Sequence, residues 1–81
     1  MTWHVHISEH TFEMLTGLGE SPRGAVFRLF RRLEEDPHAM AVPMGFGDGP
    51  MYTAAFATGL LVVLINPENR RITPVQITSL D

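Results

Sequence analysis

The chain has 81 residues, a formal net charge of −3, no cysteine and a hydrophobic fraction of 44%. This length predicts one domain over residues 1–81, the composition excludes a disordered chain, and the absence of cysteine excludes disulfides and thiolate metal sites. The acidic balance argues against general nucleic-acid binding. The longest apolar run, Leu60–Ile65, is too short to span a membrane, and no signal-peptide pattern opens the chain, so we expect a cytoplasmic protein.

The first predicted elements are a strand and a helix. From Thr2 to Ile7, apolar and polar side chains alternate, which predicts a strand that is buried on one face. Ser8 is expected to be the N-cap of a first helix. Gly19 is expected to end this helix as its C′ residue. The apolar stripe of the helix consists of Phe12, Leu15 and Leu18.

A second helix is expected to follow after a short connection. Ser21 is predicted to cap it, and Pro22 is predicted to lie in its first turn, where a missing N–H is harmless. The residue before a proline avoids the helical conformation, so Asp36-Pro37 is expected to end the helix. Its buried stripe is predicted from the i, i+3, i+4, i+7 spacing of Val26, Leu29, Phe30 and Leu33.

The segment from Pro37 to Pro50 is rich in proline, glycine, alanine and methionine, and it is predicted to be a loop. Its length marks it as a candidate functional loop, and the alternative is a plain connector. Three strands are predicted after it, over residues 51–58, 60–65 and 70–79. Pro74 cannot donate to a strand ladder, so the last strand should lie at an edge or contain a bulge there.

The element order β-α-α-β-β-β predicts an α+β fold. We expect a helical hairpin packed on one face of a four-stranded, mainly antiparallel sheet. Two antiparallel helices return the chain to the same end of the sheet, so the second strand is expected to run antiparallel to the first. The helices can cover only one sheet face, and the other face is therefore the candidate binding surface.

Several short segments accompany this order of elements. The chain opens a strand with Trp3-His4-Val5-His6-Ile7-Ser8 and closes the second helix with Leu33-Glu34-Glu35-Asp36-Pro37. A loop containing Pro43 follows, and Tyr52 enters the next strand. With Gly59-Leu60-Leu61-Val62-Val63 in the position of a Gly-Tyr-Arg-x-x-Tyr segment, the chain resembles the RelE/ParE superfamily of bacterial toxins over essentially all 81 residues.

This resemblance implies the toxin component of a bacterial type II toxin–antitoxin system. RelE-type members cleave mRNA on the ribosome, and ParE-type members poison DNA gyrase. The resemblance therefore implies the ribosome with its RNA, or gyrase, as a target. It also implies a cognate antitoxin that wraps over the toxin surface and neutralises it.

The chain departs from the RelE-type pattern at the positions that would carry catalysis. Thr53, Ala55 and Leu61 occupy the positions that match basic residues of RelE-type members, and the C-terminal Arg and Tyr of the family have no counterpart. RNA cleavage depends on preorganised cations that stabilise the charged transition state. We therefore expect a toxin-like protein that lacks the usual RNA-cleaving residues, and its status as an mRNA endonuclease stays open. The alternative is a catalytically degenerate member that acts as a protein-binding or dimerisation module.

Two histidines of the first strand are the candidate catalytic residues. His4 and His6 are expected to share the face directed away from the helices, where they could act as acid–base groups or chelate a metal. A third ligand would have to be His10, His38 or Asp48, and no spacing brings these close. The alternative is that both histidines are polar side chains on an exposed face. We therefore assign no metal and no cofactor.

The basic residues are all arginines, and they are the candidate nucleic-acid contacts. One interpretation is a phosphate-binding patch, which would be sequence-independent and salt-sensitive. The other is a solvated helix face balanced by neighbouring carboxylates. The residues concerned are Arg23, Arg28, Arg31, Arg32, Arg70 and Arg71.

The strand after Gly59 is apolar on both faces, which predicts an exposed apolar patch. The resemblance assigns Leu61, Val63 and Ile65 to the open face, together with Thr53 and Ala55. Branched apolar side chains that face water usually mark a partner site, for an antitoxin or for a second copy of the chain. The alternative is that the chain's own loop, residues 40–46, covers this strand.

Overall fold

The computed structural model describes residues 2–44 and 51–80, which form three helices and five strands. In chain order the elements are β1 (His4–Val5), α1 (Glu9–Thr16), α2 (Glu20–Glu35), α3 (Pro37–Met40), β2 (Val42–Pro43), β3 (Met51–Phe56), β4 (Gly59–Asn66) and β5 (Arg71–Ser79). The helices pack on one face of a mostly antiparallel sheet with strand order β1-β5-β4-β3-β2. The predicted α+β class is confirmed, and the sheet has five strands where four were expected. None of the described helices combines the length and the apolar character that a membrane span requires.

The two main helices form the predicted hairpin with shifted ends. Ser8 caps α1, and its hydroxyl accepts a hydrogen bond of 3.1 Å from the backbone N–H of Thr11. The helix ends at a C-cap, Gly17, two residues before the predicted Gly19. Gly19 is instead the N-cap of α2, so the prediction that Ser21 caps this helix is wrong.

The predicted loop after α2 is partly ordered into two short elements. The carboxylate of Asp36 accepts a hydrogen bond from the backbone N–H of Ala39 and caps α3. The chain then forms β2, which pairs with β3 at the edge of the sheet. The rest of the predicted loop, residues 45–50, lies outside the described residues.

The first strand lies beside the last one. β1 runs parallel to β5, with His4 opposite Arg71 and Val5 opposite Ile72. Because β3 and β5 are both antiparallel to β4, β3 runs in the same direction as β1. The predicted second strand, residues 51–58, corresponds to β3, so the expectation that it runs antiparallel to the first strand is wrong. The short strand β2 comes before it in the chain and runs antiparallel to β3, so the chain reverses once more than expected.

Pro74 lies at an irregularity of β5, as predicted. The register of β4 with β5 shifts between Val62 and Val63, where Val62 is opposite Gln76 and Val63 is opposite Pro74. On its other side β5 is paired with β1 only at Arg71 and Ile72. A residue without an N–H is tolerated there because the parallel ladder has already ended.

The core lies between α2 and the sheet. The predicted stripe of α2 is buried, and β4 and β5 contribute the facing residues. The completely buried apolar side chains include Val26, Leu33, Leu61, Val63 and Ile72.

Glu34 of α2 covers part of the free edge of β1. Its Oε2 accepts a hydrogen bond of 2.9 Å from the backbone N–H of Val5, which points away from β5. A strand edge with unpaired donors invites pairing with other chains, and a carboxylate at this position satisfies one of those donors.

Candidate functional site

The apolar residues predicted to face a partner lie in the core. Leu61, Val63 and Ile65 are 0%, 0% and 2% exposed, because they lie on the sheet face that the helices cover. The strand register agrees, since Leu61 is opposite Ala54, which is also buried. The prediction that these three side chains share the open face is therefore wrong.

The opposite sheet face, which we call the open face, is nevertheless apolar. Thr53 and Ala55 are opposite Val62 and Leu60 of β4, so all four side chains are on this face. Val42 of β2 pairs with Thr53 and extends the same face to the sheet edge. Val42 is 63% exposed and Leu60 is 50% exposed. A contiguous apolar surface of this kind indicates a site for another macromolecule.

The described part of residues 40–46 does not lie across the open face. Met40 packs against the core, Ala41 is buried, and Val42–Pro43 continues the sheet at its edge. Gly45 and Phe46 lie outside the described residues. The described segment thus adds Val42 to the open face instead of covering it.

A polar signal in the sequence could have identified the correct face of β4. Asn66 is two and four residues from Leu64 and Val62, so the three side chains share a face by strand alternation. Asn66 is the last residue of β4 and is exposed, and Gln76, opposite Val62, is also exposed. These two polar residues indicate that the even-numbered side chains of β4 face the solvent.

Three of the six arginines line one groove. It lies between α2 and the end of β3, and its volume is about 690 Å³. Arg28, Arg31 and Arg32 line it together with apolar side chains that include Met40 and Phe56. We call this space the arginine groove, and it combines three cations with an apolar surface.

The structure assigns the other three arginines to separate places. Arg23 donates through Nη2 to the carbonyl oxygen of Leu18, at 3.0 Å, and so satisfies a carbonyl after the end of α1. The guanidinium of Arg70 lies 5.5 Å from the ring centroid of Trp3. Arg71 begins β5, at the end of the sheet opposite the arginine groove. The six arginines therefore do not form one patch.

The histidines also have separate neighbours. His4, which was expected to point away from the helices, has Nδ1 at 3.8 Å from Oε2 of Glu34 on α2. His6 follows β1 and donates its backbone N–H to Ile72. Nε2 of His10 is 3.4 Å from the carbonyl oxygen of Val75. Within residues 2–44 and 51–80, no three His, Cys, Asp or Glu side chains are grouped to hold a metal ion, and the candidate ligand Asp48 lies outside these ranges.

A cluster of rings at one end of the core was not predicted. His38 of α3 packs edge-on against Trp3 and Tyr52, with ring centroids 5.8 and 5.9 Å apart. Sequence spacing could not reveal it, because the three rings come from elements far apart in the chain. Such edge-to-face contacts stabilise the attachment of α3 to the sheet.

No protein-family model and no curated protein sequence matches this chain. Its fold is similar to that of a chain in the crystal structure of the toxin-antitoxin complex RelBE2 from Mycobacterium tuberculosis. The TM-score is 0.86, the sequence identity is 16%, and the match covers 98% of this chain and 99% of that chain. The predicted resemblance to RelE-like toxins is thereby confirmed at the level of the fold.

Proposed function

We propose that this protein is the toxin-like component of a bacterial type II toxin–antitoxin pair. It is a one-domain cytoplasmic protein, residues 1–81, that is held by a cognate antitoxin. The observation that carries the proposal is the similarity of fold, over nearly the whole length of both chains, to a chain of the RelBE2 complex. The short sequence segments that resemble the family, and that follow one another in the same order from Trp3 to Val63, support it independently.

The residues at the catalytic positions favour action by binding over RNA cleavage of the usual RelE type. Thr53 and Ala55 carry no charge, and Leu61 is buried in the core. The side chains of β4 that do reach the open face near them, Leu60 and Val62, are apolar. Stabilising a charged phosphorane requires cations placed at the reacting group, and these strands supply none at these positions.

We assign the open face to partner binding. Its apolar members are Val42, Ala55, Leu60, Val62 and Leu64. Covering ~200–300 Å² of apolar surface would contribute about 5–7 kcal/mol before the cost of association. An antitoxin segment that covers this face would thus gain most of its affinity from the exclusion of water.

The test is growth of a bacterial host after induction of the protein, alone and together with the product of the neighbouring reading frame. We expect arrest with the protein alone and growth when both are present. Which process stops first, protein synthesis or DNA replication, distinguishes the ribosome from gyrase as the target. Undisturbed growth with the folded protein at high level would contradict the proposal.

A second candidate is a binding or dimerisation module derived from such a toxin, without toxicity. The apolar open face favours it, since two copies could cover this face mutually. Light scattering at high protein concentration would then show a dimer. Leu60→Asp should abolish it, whereas Phe12→Asp, at an exposed apolar position on α1, should leave it intact. A monomer at every concentration removes this candidate.

A further inference from the structure

The open face continues beyond Val42 and Thr53 to two methionines that lie opposite each other. The backbone N–H of Met44 donates to the carbonyl oxygen of Met51 at 3.0 Å, which extends the ladder of β2 and β3 by one residue pair. On its other side Met51 is opposite Leu64 of β4. Because side chains alternate along a strand, Met44 shares the face of Val42, and Met51 shares the face of Thr53. Both methionines therefore belong to the open face.

The two methionines differ in their access to solvent. Met44 is 46% exposed, and within residues 2–44 and 51–80 it is the only exposed methionine. Met51 is half-buried, as are Met14 on α1 and Met40, which packs against the core. An oxidant reaches an exposed thioether more readily than a half-buried one. Oxidation of the folded protein should therefore begin at Met44.

The composition leaves methionine sulfur as the group that a peroxide attacks. The chain has five methionines and no cysteine, so no thiol competes for the oxidant. The sulfur lone pair attacks one oxygen of hydrogen peroxide, the O–O bond breaks and an S=O bond forms. The second oxygen takes up the proton of the first and leaves as water, so the sulfur loses the two electrons that the peroxide gains. The product, methionine sulfoxide, is polar.

A sulfoxide at this position changes the surface that a partner would cover. In the thioether form, Met44 and Met51 join Val42 and Leu64 in one apolar surface, and the flexible methionine side chain adapts to the shape of a partner. An S=O group binds water, and covering it without a hydrogen-bond donor is unfavourable. Oxidation therefore opposes the burial of this part of the open face.

We propose that Met44, with Met51 opposite it, is an oxidation site on the open face, and that its conversion to methionine sulfoxide weakens the binding of the protein partner. The existence of this partner rests on the function proposed above. Burial of a methionine side chain changes an equilibrium constant by a factor of about ten or more. Oxidation should therefore raise the Kd for the product of the neighbouring reading frame about tenfold.

The test treats the full chain with hydrogen peroxide. Tandem mass spectrometry should locate the first added oxygen atom on Met44, and retention on a hydrophobic-interaction column should fall as this sulfoxide forms. Unfolding would instead increase retention, because it exposes the core. A methionine sulfoxide reductase with dithiothreitol should restore retention, since two thiols become a disulfide and the oxygen leaves as water.

Two double variants separate the open face from the other methionines. Met44→Leu/Met51→Leu keeps the volume and the apolar character of both side chains, so its retention and its Kd for the neighbouring product should not change on peroxide treatment. Met14→Leu/Met40→Leu carries the same number of substitutions on the helices and is the matched control. It should lose retention and raise its Kd as the unaltered sequence does.

Two results with the unaltered sequence would overturn the inference without depending on the folding of a variant. They are a first oxygen atom on Met14 or Met40, and unchanged retention of the protein that carries the Met44 sulfoxide. Growth arrest that is relieved by the neighbouring product, together with equal binding of that product by the oxidised protein, would refute the oxidation site and leave the proposed function intact. Selective oxidation of Met44 with reversible loss of retention, in a protein that does not arrest growth, would do the reverse.

Discussion

Val62 and Val63 are adjacent on β4, and their side chains lie on opposite faces of the sheet. Val63 is completely buried under the helices, whereas Val62 is half-buried on the open face. Val63→Ala removes two buried methyl groups, at ~0.8 kcal/mol each, and leaves a cavity that the core fills only partly. We expect it to lower the free energy of unfolding by about 2–3 kcal/mol.

This loss is a large share of the total stability. A chain of 81 residues has an unfolding free energy of about 4–12 kcal/mol at ordinary stability per residue. The melting temperature should therefore fall by roughly 10–20 °C. Val62→Ala is the matched control, with the same chemical change on the other face, and it should lower the unfolding free energy by less than about 1 kcal/mol.

Urea unfolding followed by the fluorescence of the single tryptophan, Trp3, measures both variants. Trp3 is half-buried and packs against the core, so its emission should report global unfolding. Equal destabilisation by the two variants, or a larger loss for Val62→Ala, would show that the assignment of the two faces of β4 is incorrect.

Two further pairs of variants test local features of the fold. Gly59→Ala would place a Cβ atom 1.8 Å from a backbone carbonyl oxygen of β5, so a melting curve should show a loss of several kcal/mol or no folded protein. Gly24→Ala on α2 meets only a flexible side chain at 3.4 Å and should stabilise the protein by about 0.5–1 kcal/mol; a loss of stability would contradict this reading of the helix surface. Glu34→Ala removes the acceptor for the N–H of Val5 and should cost about 1 kcal/mol in urea unfolding, whereas Glu35→Ala should change stability by less than ~0.5 kcal/mol. Equal effects of the two glutamate variants would exclude the role of Glu34 at the strand edge.

Local physical rules allowed the sequence to predict the elements that depend on neighbouring residues. The cap at Ser8, the buried stripe of α2 and the irregularity at Pro74 all follow from side-chain chemistry within a few positions. The ends of the helices were harder to predict from the sequence, because Gly17 and Gly19 lie close together and either can end or begin a helix. Packing of the hairpin decides between them.

Prediction of the functional surface required knowledge of contacts between residues that are distant in the sequence. β4 is apolar on both faces, so its alternation is compatible with either orientation, and shifting the pattern by one residue exchanges the core with the open face. The pairing of Leu60 with Thr78, which is eighteen residues away in the chain, is invisible to a pattern of period two. The register with β3 and β5 selected the orientation, and it placed Leu61, Val63 and Ile65 inside.

The sequence by itself determined the class of the fold, the hairpin of α1 and α2, and the apolar character of β4, because periodicity and capping act over one or two turns of chain. Only the tertiary structure decided that β1 pairs with β5, that an apolar surface of Leu60 and Val62 faces outward, and that Arg28 and Arg32 line a groove beside the end of β3. The physical reason is that these contacts join residues distant in sequence, and their geometry is set by how the whole sheet pairs and packs.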